Sequence, residues 1–525
     1  MKIKKMLISF NIKEKFKELK EKGGFSANSG QFLNQNNYFD LGIAFWLINP
    51  DEKEYTPEYL SKKYLHPVRS RPAEGGATGT SEHPASNGVN KDFSGKGDLE
   101  KLQKIAEKKL KEYKLEKLFY EVEMPLVPVL AGMELMGVKL NVKSLKDLDA
   151  KLKKNLIDLT KKIYKEAGGP FNVNSPKQLG QIFFQKLKID LKGVKKTRGG
   201  AISTDIDTLL TIQGRHPIVK YILEYRELFK LQSTYIRPLQ DLVDENGRLH
   251  TTYIQTGTST GRLSSQNPNL QNIPAEGNWA KEVRKAFITE KGYQFASFDY
   301  SQIELRVLAS LSGDPKMIEA FNGDSDIHKI TAANVFNVPL EKVTPEMRRT
   351  AKTLNFGVVY GMGANAFAKT SGLNFAEAKK FIDEYFNDFK KIKEWQEEVK
   401  SQARVFGYVT NLNGRRRWLL QATSMFRSEA AEAERAAINM PVQGLAADII
   451  KIAMVKVADE IKKKEWSDKV RMLLTIHDEL LFEIRKDIIK ESSRVIQKIM
   501  ESAYELEVPI KVSVKTGDNW GELEN

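Results

Sequence analysis

The sequence predicts an α+β or mixed fold with a helical N-terminal half, and three stretches carry that expectation. From Leu99 to about Lys165 the chain is strongly helical in pattern and rich in lysine. Beyond Gly292 short apolar strands alternate with amphipathic helices such as Phe381 to Arg404, and the chain closes on a strand-like Val508 to Val514. Two apolar runs, Met472 to Ile476 and Leu480 to Ile484, flank the polar triplet His477-Asp478-Glu479, which is the pattern of a β-hairpin.

At 525 residues the chain has room for three or four units, taking about 100 to 200 residues per domain. Lys and Arg number 83 against 68 Asp and Glu, a net charge of +15. That surplus favours a polyanionic partner, nucleic acid first, and it equally fits a protein whose surface is simply lysine-rich. There is no cysteine, so disulfides and thiolate metal sites are excluded; carboxylates and six histidines remain as metal ligands, and a reducing cytosol fits. The apolar run Met6 to Phe10 is too short for a signal peptide, and Leu41 to Ile48 is too short to span a bilayer, so a soluble, cytoplasmic chain with no membrane partner is expected.

Residues 1–65 read as a small or incomplete domain with a thin core. Residues 66–98 read as a flexible linker: no Leu, Ile or Met lies between His66 and Asp98, where Gly, Ser, Pro, Asn and Thr are frequent. Residues 99–250 read as a helical region, interrupted at Met124-Pro125-Leu126-Val127-Pro128 because each proline limits helix continuation. The basic run Lys192, Lys195, Lys196 and Arg198 before Gly199-Gly200 suits a loop that touches phosphates, or an ordinary solvated loop. Residues 251–525 form the mixed part.

Phe295 to Phe298 reads as a buried strand ending at Asp299, with a helix from about Gln302 to Leu311. Asp299 is thereby fixed by a sheet and open at its tip, as a metal ligand must be, although a lone Asp at that place commonly caps a helix. Asp478 and Glu479 sit at the hairpin tip. Acidic turn residues are commonplace, but two adjacent carboxylates are costly without a cation nearby. Phosphoryl transfer explains the pair: two Mg²⁺ ions about 3.5 to 4 Å apart, bridged by carboxylates, activate the attacking hydroxyl and neutralise the leaving group.

In Met347 to Tyr360 the residues Arg348, Lys352, Phe356 and Tyr360 recur every fourth position, sweeping roughly 120° of one helix face over about 18 Å. Cations lie at one end of this stripe and aromatics at the other, which matches a nucleoside triphosphate; an ordinary amphipathic helix with a buried aromatic end has the same pattern. Gly357 and Gly361 beside the aromatics permit close approach and hinging.

Taken together, Asp299-Tyr300-Ser301-Gln302-Ile303-Glu304-Leu305-Arg306, the stripe Arg348 to Gly361, and His477-Asp478-Glu479 resemble the three polymerase motifs of family A, the bacterial DNA polymerase I type. Thr260 to Ser265, Asn269 to Pro274, Asp326-Ile327-His328, and Arg435 to Asn439 leading into Gln443-Gly444 extend the resemblance, which covers roughly Glu121 to Asn525. It implies a right-hand fold with a thumb near residues 121–250, a palm carrying Asp299 and Asp478, and fingers at approximately 315–430. It implies a DNA-directed DNA polymerase that extends a primer 3′ end with dNTPs, in replication and repair. Two Mg²⁺ ions, replaceable by Mn²⁺, would be held by Asp299, Asp478 and the Tyr300 carbonyl, with Glu479 beside them. Arg348, Lys352, Phe356, Tyr360, Gln302, Glu304 and His328 would bind the nucleotide. Lys352 would protonate the leaving pyrophosphate, Glu304 would gate against the ribose 2′-hydroxyl, and Phe356 in place of Tyr would discriminate against dideoxynucleotides. Arg262, Asn269, Asn272, Arg435, Asn439, Gln443 and His477 would contact primer-template DNA. A monomer, cytoplasmic and nucleoid-associated, is expected.

Two departures matter. The N-terminal part resembles a fragment of the family's 3′ to 5′ exonuclease domain, with Lys15 ending Asn11-Ile12-Lys13-Glu14-Lys15 where a metal-binding Asp is usual; neither proofreading nor 5′-nuclease activity is expected. After Asn272-Ile273-Pro274 the family usually has an Arg within two residues, where this chain has Ala275-Glu276. Lys281 or Arg284 is the expected substitute.

Overall fold

The structure is a computed structural model that describes residues 7–21, 38–66, 95–190, 192–194, 200, 202–274 and 277–523. Most of the expected linker, together with Lys195, Lys196, Arg198 and Ala275-Glu276, lies outside the described residues. The chain forms two compact units, one of Met1–Met136, Thr252–Gln266 and Ala296–Lys515, the other of Gly137–Thr251, Asn267–Phe295 and Thr516–Asn525.

The first unit is organised on a four-stranded sheet in the order Val470–Ile476, Glu479–Arg485, Tyr293–Tyr300, Val512–Gly517. Its first two strands are an antiparallel hairpin in which Ile476 faces Glu479, leaving His477 and Asp478 as the turn. Phe295 to Phe298 are buried one after another, and Asp299 just beyond them is exposed. Phe298 and Phe482 meet edge to face at 5.4 Å and lock the central strand to the hairpin.

The 37-residue helix Arg427–Lys463 runs through this core. It is long and apolar enough to cross a membrane, with mean hydropathy 1.3 over its most apolar window, yet 78% of that window is buried inside the protein, so core packing accounts for its composition. The amphipathic stretch expected from Phe381 to Arg404 is two helices, Phe375–Asp388 and Lys390–Phe406. Phe389 separates them with ψ 65°, a non-helical angle that carries its buried ring against Tyr385 at 4.9 Å.

Prolines do not interrupt the chain where expected. Met124–Met136 is one helix with Pro128 inside it. Pro128 has no N–H for the Met124 carbonyl four residues back, and the Tyr38 hydroxyl donates to that carbonyl instead, at 3.2 Å. The helix stops at Gly137, whose φ of 60° and closeness to the Leu249 carbonyl exclude any side chain, and the strand Val138–Leu140 follows within the stretch expected to be helical.

The N-terminal residues have a fuller core than their length implies. Leu7–Ser9 and Tyr38–Asp40 pair in parallel, and every residue of helix Leu41–Ile48 is buried. Leu102, Ala106 and Leu110 of helix Lys96–Glu112, with Leu118 and Phe119, complete the cluster around Phe39, Phe45 and Trp46. Beneath Trp46 lies a buried charge network. Glu123 accepts from Lys451 at 2.7 Å and from Arg415, and Arg415 also meets Asp448 at 2.6 Å. Burial alone would raise the Glu123 pKa, but Lys451 and Arg415 outweigh it and hold the carboxyl below its usual 4.5.

In the second unit the strands Arg248–Leu249, Val138–Leu140 and Phe287–Ile288 form a small sheet. Helix Val142–Ala167, capped by Asn141 and closed by left-handed Gly168, shares a core with Phe183, Ile218 and Ile222.

Replacing Lys451 by Met leaves Glu123 buried with one of its two cations. We expect a loss of about 3 kcal/mol in urea unfolding at neutral pH, the cost typical of a broken buried pair. Because the folded pKa of Glu123 lies below its unfolded value of 4.5, its stabilisation is present above that value and fades as pH falls below it, so the difference between variant and wild type should shrink in acid.

Candidate active site

Asp299 and Asp478 come together through the sheet. The Tyr300 N–H donates to the Asp478 carbonyl at 3.2 Å, so the end of the central strand is tied to the hairpin tip. The Ser301 N–H donates to the Lys511 carbonyl at 2.9 Å, and the Tyr300 hydroxyl to the Met500 carbonyl at 2.9 Å, which anchor the same strand end from its other side. Asp299 is exposed as a residue, while its carboxyl lies against enough protein to lose hydration. That loss, with the negative charges of Glu479 and Asp478 and only partial relief from Lys515, pushes its pKa up to about 6. Burial raises the Asp478 pKa as well, opposed by Arg262. Glu479 accepts from the Ser297 hydroxyl at 2.5 Å, so it faces the sheet beside Asp299.

His477 occupies the hairpin turn at φ 53°, a left-handed conformation in which His is among the more tolerated non-glycine residues. Gln302 likewise takes φ 54° just before helix Ile303–Ser312, turning the chain sharply after Asp299-Tyr300.

Glu304, 3% exposed, joins three motifs. Its Oε1 accepts from Arg262 at 2.5 Å and its Oε2 from the Tyr360 hydroxyl at 2.7 Å. Burial raises its pKa, and the two partners oppose that.

The stripe stands on helix Pro345–Val359, which Thr344 caps and Pro345 starts, with Tyr360 at its C-terminal end. Arg348 and Lys352 are exposed, and Phe356 and Tyr360 half-buried. Arg348 is not free: its Nε donates to Asp326 Oδ2 at 2.6 Å. Asp326 Oδ1 caps the next helix, Ile327–Val335, by accepting from the His328 and Lys329 N–H groups. His328 is buried against Phe356, ring centres 5.8 Å apart, and Asn355 Nδ2 lies 3.0 Å from its Nδ1. Burial first, then Arg348 and Lys352, lower its pKa to about 4 against the pull of Asp326, so the ring is neutral at pH 7. Gly357 is required where Met362 folds back, since a Cβ would sit 2.9 Å from its sulfur.

Arg435, Asn439 and Gln443 form one stripe of helix Arg427–Lys463, and the buried Oδ1 of Asn439 has no hydrogen-bond partner among the described residues. Asn269 and Asn272 are exposed in the second unit, where Asn269 caps a short helical turn. Arg284, an expected substitute for the missing Arg, is committed elsewhere. Its guanidinium donates to the Pro274 and Ile273 carbonyls and stacks on Trp520 at 4.3 Å, whereas Lys281 is exposed.

Ser297, Asp326 and Asn355 touch Glu479, Arg348 and His328, contacts that the sequence does not reveal. Asp326 stands inside a quoted motif and the N-cap pattern marks it, but no periodicity announces its pairing with Arg348. Among the described residues no group of three or more His, Asp or Glu side chains is arranged to hold a metal. Asp299 and Asp478 are crowded carboxylates whose charge Lys515 and Arg262 offset only in part. This suits a hard divalent ion that takes few protein ligands and completes its shell with water and phosphate.

Comparison with known proteins gives the family. Residues 142–522 match DNA polymerase family A. The chain is 46% identical over 406 residues to the thermostable DNA polymerase I of Thermus filiformis, covering 77% of this chain and 48% of that protein. It is 42% identical over 488 residues to DNA polymerase I of Bacillus subtilis, covering 92% and 55%. The chain thus spans about half the length of the curated relatives it matches. The POL domain of Pol1 from M. smegmatis, solved as a complex with DNA primer-template and dNTP, superposes with a TM-score of 0.84 at 35% identity, over 92% of this chain and 82% of that one. The right-hand polymerase fold and the arrangement of its motifs place this chain in DNA polymerase family A.

Proposed function

We propose that the chain is a DNA-directed DNA polymerase, acting in replication and repair, that extends a primer 3′ end on a template by two-metal phosphoryl transfer. The observation that carries this reading is the crowded, only partly compensated pair Asp299 and Asp478, joined through the Tyr300 to Asp478 main-chain bond. Asp299, Asp478 and the Tyr300 carbonyl would hold two Mg²⁺ or Mn²⁺ ions, which when bound activate the primer 3′-hydroxyl and stabilise the leaving group. Glu479, held by Ser297, adds negative potential beside them.

The protein's own groups do the rest. Arg348 and Lys352 bind the triphosphate through charge-assisted bonds, with phosphate oxygens replacing Asp326 on Arg348. Lys352 is the proton donor to the departing pyrophosphate. Neutral His328 offers a hydrogen bond without adding a charge that would compete with the two cations. Phe356 and Tyr360 take the base and sugar, and closure of their helix onto a correctly paired nucleotide selects it. Glu304, fixed by Arg262 and Tyr360, fills the space beside the sugar C2′ and disfavours a ribose hydroxyl there. Gln302 borders the same nucleotide. In the first unit Arg262, Arg435, Asn439, Gln443 and His477 would contact primer-template DNA; Asn269 and Asn272 are the DNA-contacting candidates of the second unit. Asn439 and Gln443 suit minor-groove acceptors, which sit alike in every base pair. Lys15 stands exposed on helix Ile12–Glu21 where a nuclease ligand would be acidic, and a cation there repels a metal, so this segment supplies no proofreading.

Primer extension by the wild type should proceed with dNTPs and at most weakly with rNTPs. Asp478→Asn should lower the extension rate by roughly a thousandfold or more, while primer-template affinity measured by fluorescence anisotropy stays within about threefold. Extension unaffected by that change would refute the metal assignment.

In metal-free buffer the raised pKa of Asp299 implies stability that is present below pH 3.8 and lost as pH rises through about 6. Mn²⁺ should therefore raise the thermal midpoint more at pH 7.5 than at pH 5, and Asp299→Asn should raise the metal-free midpoint at pH 7.5 while abolishing the Mn²⁺ response. A pH-independent Mn²⁺ shift that survives Asp299→Asn would contradict this.

A further inference from the structure

We propose that Lys13, on the exonuclease-like helix Ile12–Glu21, is a positioning residue for polymerisation: through Glu134 and Tyr253 it fixes the strand that presents Asp478. The inference rests on the reading of Asp478 given above.

The strand Val470–Ile476 is the outer strand of the four-stranded sheet, so one of its sides has no ladder partner within that sheet. Its pairing with Glu479–Arg485 is also irregular, with a register shift between Met472 and Leu474. An edge strand with a bulge has weakly determined geometry unless something outside the sheet holds it. Tyr253 does so. The Thr475 N–H, three residues before Asp478, donates to the Tyr253 hydroxyl at 3.1 Å.

Tyr253 is in turn held at its own backbone. It is 1% exposed, and its N–H donates to Glu134 Oε1 at 2.7 Å. Lys13 Nζ closes the arrangement by donating both to Glu134 Oε1, at 2.5 Å, and to the Tyr253 carbonyl. Lys17 meets the other Glu134 oxygen at 2.9 Å. Lys13 and Glu134 are 7% and 3% exposed. Lys13 therefore fixes Glu134 Oε1 and the Tyr253 carbonyl at once, so the acceptor of the Tyr253 N–H and the backbone it serves are held by one buried cation. The rigid ring of Tyr253 then carries that fixed position across to Thr475. A segment whose own nuclease position holds a lysine thus contributes a neighbouring lysine to the polymerase site.

The test compares wild type, Lys13→Met, Lys13→Arg, Tyr253→Phe and the Lys13→Met/Tyr253→Phe double variant, by hydrogen exchange in metal-free buffer and by single-turnover nucleotide addition. Tyr253→Phe deletes one hydroxyl and keeps the ring, which guards against a failure of folding. Tyr253→Phe and Lys13→Met should each speed amide exchange in the peptide Val470–Arg485 by about tenfold and slow addition by about tenfold, with half-saturating dNTP changed less than about twofold. The double variant should lose no more than Tyr253→Phe alone, and Lys13→Arg should retain most of the rate. Unchanged exchange at the hairpin, losses that add in the double variant, or exchange that rises uniformly through the first unit would overturn the proposal. The exchange readout does not pass through catalysis, so a wild type that fails to extend primers would sink the functional reading alone.

Discussion

The hydrogen bond from the Tyr300 N–H to the Asp478 carbonyl ties the end of a central strand to the tip of a hairpin formed far along the chain. Because the bond is main chain to main chain, the two carboxylates it brings together are placed by the sheet and not by flexible side chains. The cost is electrostatic: Asp299 faces Asp478 and Glu479 with Lys515 as a partial counterweight, and its pKa rises to about 6. A folded protein keeps such crowding where a ligand relieves it. Divalent cations bound by few protein oxygens are the ligands that fit.

Other contacts in the first unit tie distant motifs together. Glu304 binds Arg262 and Tyr360 and so joins three sequence-distant motifs at one point. Arg348 is paired with Asp326, which orders an exposed guanidinium beside the cap of helix Ile327–Val335. Burial keeps His328 neutral although it neighbours Asp326. Below this layer the Glu123, Arg415, Asp448 and Lys451 network, roofed by Trp46, joins the N-terminal segment to the helix that carries Arg435, Asn439 and Gln443.

The secondary structure that carries the candidate site was legible in the sequence because its elements announce themselves locally. The run Phe295 to Phe298 ending at an Asp, the two apolar runs around His477-Asp478-Glu479, and the fourfold spacing from Arg348 to Tyr360 all specify their own secondary structure. What escaped depends on contacts between distant segments. Pro128 is tolerated because Tyr38 supplies the missing donor, and no local rule predicts that. Phe389 splits an apparently continuous amphipathic helix because burying its ring outweighs helix propensity. The N-terminal core looks thin until Leu102, Ala106 and Leu110 are added from beyond the linker. Arg284 resembles a spare cation in sequence, but its stacking on Trp520 is set by residues near the C-terminus.

Polymerisation by this chain requires Asp299 and Asp478 to share metal ions. Crystals of the protein grown with primer-template and a non-hydrolysable dNTP analogue, soaked in Mn²⁺ and measured at the manganese absorption edge, locate those ions. Anomalous peaks within ligand distance, about 2.0 to 2.3 Å, of oxygens from both carboxylates are predicted. Manganese bound elsewhere in the fold, with the Asp299 and Asp478 oxygens left unligated, would contradict it.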